Sequence, residues 1–102
     1  MHAMVVLYPQ PDDPQAFRDY YVSKHVPLAA QLPGLVSYRY GFPSPLGPAG
    51  GDTHFCIFEA LFESAEAMAA ALKSPLGREV AADVPNYSPK GASLMHYEVA
   101  GQ

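Results

Sequence analysis

A chain of 102 residues is the size of one domain, and residues 1–102 are expected to form a single unit. It is 49% hydrophobic and 16% charged with a net charge of −4, so it carries more apolar surface than one small core buries, and a partner subunit is the expected outlet. Its six lysines and arginines are scattered, which argues against nucleic acid; no apolar run approaches the roughly 18 residues a membrane span needs.

The first residues, Met1-His2-Ala3-Met4, lead directly into a strand-like run with no basic region or cleavage site, so no secretion signal is expected. The lone cysteine, Cys56, lies in an apolar strand and reads as a small core hydrophobe. Together these point to the reducing cytoplasm.

Residues 3–8 are a continuous run of β formers, as suits a central strand covered on both faces. Residues 9–14 are a breaker cluster in which Asp13 is a good N-cap and Pro14 a good first helical residue. Phe17, Tyr20, Tyr21, Lys24, Leu28 and Leu32 then recur at helical spacing. Pro27 has no amide to donate to Ser23, so the helix is expected to kink or break there, and Pro33-Gly34 ends it. Residues 35–42 alternate, with Val36, Tyr38, Tyr40 and Phe42 on one face, as an edge strand does. A Pro, Gly and Ser loop over 43–51 precedes the most apolar strand, 53–62. Ser64 caps a second helix through Leu72, Ser74-Pro75 starts a short helix to about Ala82, residues 84–91 form a loop, and 92–99 a last strand.

This β-α-β-β-α-β order predicts an α+β, ferredoxin-like fold: one antiparallel sheet of order 4-1-3-2 with both helices on one face. The two most apolar strands, first and third, fall in its centre. Their second apolar face has no helix to cover it, so a homodimer joined through the helix-free sheet faces is expected.

His25 is the leading candidate for chemistry. It titrates near neutral pH, it precedes Pro27, and on an ideal helix it lies one turn after Tyr21. It suits a general acid or base, with Tyr21 orienting it or donating to a developing oxyanion; the structural alternative is a histidine capping broken helix carbonyls. Tyr38, Tyr40, Phe58, Tyr87 and Tyr97 are candidates to line an apolar pocket, with core packing as the alternative, and His54, which opens the third strand on the face of Phe58, is a further candidate, with a structural role as the alternative. His96 reads as structural, and Arg78 with Asp83 as a surface ion pair. No histidine pair has metal-site spacing, and there is no phosphate loop or dinucleotide fingerprint, so neither metal nor cofactor is expected.

The segments Val5-Val6-Leu7-Tyr8-Pro9, Phe17-x-x-Tyr20-Tyr21-x-x-x-His25-x-Pro27-Leu28, Leu32-Pro33-Gly34-Leu35-x-x-Tyr38 and Ser74-x-x-Gly77-Arg78-x-Val80-x-x-Asp83-Val84-Pro85-Asn86-Tyr87 resemble the EthD-like family, named for a protein linked to ethyl tert-butyl ether degradation. The resemblance covers nearly the whole chain and implies a dimeric α+β barrel. Its superfamily spans monooxygenases, isomerases, decarboxylases and cyclases, so the fold alone does not name a reaction. Two readings follow. One is an enzyme without a tightly bound cofactor, using His25 for proton transfer on an apolar aromatic or oxygenated compound. The other is a non-catalytic dimer that binds a hydrophobic molecule or assists an oxidative degradation enzyme.

Overall fold

Strand β1 (His2–Tyr8) runs through the middle of a four-stranded sheet, between β3 (Cys56–Phe62) and β4 (Ser93–Glu98), and β2 (Leu35–Gly41) closes the other edge along β3. All three pairings are antiparallel, and the order β2-β3-β1-β4 is the one expected from the sequence. The coordinates are a computed structural model in which residues 1–47 and 53–101 are described. The later part of the expected 43–51 loop lies outside them.

The sheet's two faces differ. In β1, Met4, Val6 and Tyr8 are buried beneath the helices, and in β3 so are Cys56, Phe58, Ala60 and Phe62. The alternate residues Val5, Leu7, Ile57 and Leu61 are half-buried on the helix-free face, where Met95 pairs with Val5 and Tyr97 with Ala3. Its one ion pair among the described residues joins Arg39 to Glu59 at 3.3 Å. β4 is exposed along its length, and on its helix-side face His96 lies 2.7 Å from His2, a contact of distant residues that spacing alone does not reveal.

β2 departs from the expected alternation. The register slips between Leu35 and Ser37, so Val36 is bulged out, and Leu35, Tyr38 and Tyr40 share the helix-side face.

Helix α1 (Pro14–Tyr20) starts as expected, Asp13 accepting the Ala16 amide at 3.1 Å. The helix does not break at Pro27. It widens first, into a π-helical turn over Tyr21–His25, and continues as α2 (Val26–Ala29) with helical dihedrals throughout. The wide turn lets the Val26 amide reach back to the Tyr21 carbonyl, so the ladder is rerouted around a proline that cannot donate. Helices α3 (Ala65–Lys73) and α4 (Pro75–Asp83) meet at Ser74. Its hydroxyl accepts the Gly77 amide at 3.0 Å, and a 3-10 turn over Val84–Asn86 follows α4.

An aromatic cluster fills the space between helices and sheet. Phe17 packs against Phe55 at 4.9 Å and Tyr87 at 5.1 Å, and Tyr8 packs against Tyr21 at 5.4 Å between ring centres. No described helix is long and apolar enough to cross a membrane.

Candidate active site

The π turn decides which side chains converge. In an α-helix, residues five apart lie about 140° apart around the axis. Bonding from i to i+5 brings them nearly into line. Tyr20 and His25, five apart, therefore face the same acceptor, Asp83 at the end of α4. The Tyr20 hydroxyl donates to Asp83 Oδ1 at 2.6 Å, and His25 Nδ1 lies 2.9 Å from Asp83 Oδ2. Asn86 Nδ2 donates to the same Oδ1 at 2.9 Å.

His25 is 4% exposed. It stacks on Tyr21 at 5.4 Å and packs against Tyr87 at 4.6 Å. Burial holds its pKa below the ordinary histidine value, and the Asp83 contact opposes that only in part. At neutral pH the ring is therefore neutral. Burial acts to raise the Asp83 pKa, but hydrogen bonds from Tyr20, Asn86 and His25 prevail and bring it below the ordinary carboxylate value. An ionised carboxylate only accepts, so Nδ1 carries the ring proton and Nε2 holds the lone pair. Nε2 makes no hydrogen bond among the described residues.

His25 lines a cavity of about 70 Å³ between helices and sheet. Its other walls are almost wholly apolar, among them Met4, Val6, Phe58, Val80 and Val84, and no lysine, arginine or carboxylate enters it. Leu72 and Leu94, both exposed, mark its mouth. Tyr8 also lines it, but the Tyr8 hydroxyl is committed to Tyr87 at 2.7 Å. A wider depression of about 260 Å³ lies beyond Tyr87; its Lys90 and Asp12 neutralise each other at 3.1 Å. No group of three or more metal-ligating side chains assembles among the described residues.

The residues singled out in the sequence divide accordingly. His25 and Phe58 line the cavity together, and Tyr87 packs against His25 from outside its wall. Tyr21 adjoins them but does not orient His25: its fully buried hydroxyl has no hydrogen-bond partner, and burial drives its pKa far up. Asp83 performs the orienting instead, so Asp83 is not paired with Arg78. Tyr38 stacks on Phe58 at 5.8 Å but is exposed at the sheet edge, outside the cavity wall. His54 precedes β3 rather than opening it, stands exposed, and lines a separate depression with Pro9 and Gln10. The cysteine is buried, its thiol pushed up to about 11 by burial, and is a core residue. Asp83 and Asn86 carry no spacing that links them to His25, Asp83 being 58 residues away, and the five-residue spacing of Tyr20 aligns with His25 only through the π turn.

Comparison with known proteins places this arrangement. An uncharacterized 11.0 kDa protein of the thcB-thcC intergenic region of Rhodococcus erythropolis is 33% identical over 95 residues, covering 93% of this chain and 91% of that protein. The solved structure of an EthD family protein from Bacillus halodurans is 27% identical, with a TM-score of 0.89 over 98% of this chain and 99% of that one. More distant chains show the fold alone. A dimeric ferredoxin-like protein of unknown function from Thermobifida fusca has 15% identity and a TM-score of 0.72, covering 96% of this chain and 90% of that one. SnoaB, a cofactor-independent oxygenase of Streptomyces nogalater, has 16% identity and a TM-score of 0.68, covering 99% and 94%. The architecture is thus the α+β, ferredoxin-like subunit of dimeric α+β barrels. The family model of the EthD domain matches residues 10–91, a span that includes His25, Asp83 and Asn86, and the chain belongs to the EthD domain family.

Proposed function

We propose that this protein is a small-molecule enzyme that works without a tightly bound cofactor, with His25 as a general base toward a neutral, apolar, aromatic or oxygenated compound. The observation that carries the reading is the His25–Asp83 pair at 2.9 Å, whose histidine lines an apolar cavity. Nε2 takes a proton from an acidic C–H or O–H of the substrate, and the bonding electron pair stays on the substrate. The imidazolium so formed is balanced by the Asp83 carboxylate. Isomerisation, dehydration and cofactor-free oxygenation of an activated carbon can each begin with this step. The dry walls strengthen the His25–Asp83 attraction as charge develops.

The cavity also supports a substrate class. No cation lines it, so a carboxylate or phosphate inside would lack a partner and lose its hydration; a neutral molecule does not. Phe58 and Tyr8 supply the aromatic part of the wall that His25 shares. Its small size calls for a compact compound, or for movement of Leu72 and Leu94 at the mouth.

A homodimer joined through the helix-free faces fits the half-buried Val5, Leu7, Ile57 and Leu61, and the dimeric neighbours support it. A reducing cytoplasmic setting suits the single buried thiol.

The test is a thermal-shift screen of phenols, enols and small cyclic ketones against wild type and His25→Gln, followed by turnover assays on hits. Turnover by wild type, lowered about a hundredfold in His25→Gln, supports the base. Binding with no turnover of any hit favours a non-catalytic protein that holds hydrophobic compounds.

A further inference from the structure

We propose that Tyr20 and Asn86 are positioning residues that fix His25 in one tautomer by locking the carboxylate of Asp83. This rests on the reading of His25 as a base, and it assigns work to two residues that touch neither cavity nor substrate. Both donate to the same oxygen, Oδ1, at 2.6 and 2.9 Å, and Asn86 also lies 3.4 Å from the Tyr20 oxygen. Oδ1 is thereby occupied and Oδ2 is left for His25 Nδ1.

The lock is needed because of where Asp83 sits. A carboxylate turns about its last bond through a broad, two-fold profile. Asp83 also lines an open groove with Tyr20, Lys24, Glu79 and Asn86, from which water can compete for either oxygen. Lys24 and Glu79 are the other charged groups of that groove, and neither bonds Asp83 in the structure. Without the two donors the carboxylate would turn toward groove water, Nδ1 would lose its acceptor, and the proton would distribute over both ring nitrogens. An Nε2–H ring presents a donor, not a base, to the cavity. The π turn is what places Tyr20 within reach of Asp83 beside His25.

The test uses nitrogen NMR of histidine-labelled protein at pH 7.5 without any ligand. Wild type should show His25 as the Nδ1–H form. In the double variant Tyr20→Phe with Asn86→Ala, the Nε2–H form should rise at least about tenfold relative to Nδ1–H. An unchanged ratio in the folded double variant overturns the proposal. Should that variant fail to fold, Tyr20→Phe alone decides: it keeps the ring stacked on Tyr87 at 5.8 Å. Exchange of the Nδ1 proton with solvent should then quicken about tenfold, and an unchanged rate overturns the lock. Since no substrate is involved, the result stands apart from the test of His25 as a base: altered tautomers without turnover refute the enzyme and keep the lock, whereas turnover with unaltered tautomers does the reverse.

Discussion

His25 Nδ1 and Asp83 Oδ2 lie 2.9 Å apart, although 58 residues separate them in the chain. The contact ties the end of the π turn to the end of α4, with His25 buried and Asp83 half-buried at the edge of an open groove. Removing either leaves a polar atom of the other without its partner. Asp83→Ala is therefore expected to destabilise the fold by about 1.5–3 kcal/mol, read from urea midpoints. Once a substrate is in hand, it should also lower turnover by about a hundredfold. A loss of turnover without any loss of stability would show that the pair does not hold the fold.

Stability should vary with pH in a defined direction. The folded pKa of His25 lies below its unfolded value of about 6.5, so the unfolded chain binds a proton first as pH falls. The stability linked to neutral His25 is then complete above pH 6.5 and declines as pH drops from there toward the folded value. Asp83 adds a second loss at lower pH: its contribution is present above the ordinary carboxylate pKa and fades as pH falls through its depressed value. Urea unfolding at pH 7.5 and 5.5 should show the first effect in wild type and a flatter response in His25→Gln. Equal slopes in the two proteins would contradict the burial argument.

Gly77 stands where α4 crosses the end of α3. A Cβ added there would lie 2.2 Å from the Ala71 carbonyl oxygen and 2.6 Å from that of Leu72. Both are backbone atoms, so the helices themselves must separate. Gly77→Ala is expected to cost about 2–3 kcal/mol despite alanine's better helix propensity. Gly77 also lines the cavity, so ligand binding should weaken with it. A melting temperature at or above that of wild type would refute the close approach.

The helix-free sheet face should be the dimer interface. Sedimentation equilibrium is expected to give a dimer at micromolar concentration, with roughly 2,000 Å² buried in total. Ile57→Asp places a charge on an inner strand of that face without touching the helix side, and it should shift the equilibrium toward monomer. An Ile57→Asp protein that remains dimeric would move the interface elsewhere.

The strand order, the helix-covered and helix-free faces and the Asp13 and Ser64 caps are legible in residue order, because period and capping are local properties. Pro27 announced a disturbance of the helix, but not its form: a break and a π turn both answer a missing amide, and packing against Tyr8, Tyr87 and Asp83 favours the turn that keeps the helix continuous. The one-residue slip at Val36 was hidden for a related reason, since a bulge moves side chains between faces without changing residue types. A strand that begins at Thr53 would carry His54 toward Phe58, yet pairing with β1 starts only at Cys56. The partner of His25 was legible nowhere. Tyr21, one turn away, was the local choice, whereas Asp83 reaches the ring only after α4 folds back over the sheet. A hydrogen bond depends on distance and direction in space, and those are properties of the assembled fold.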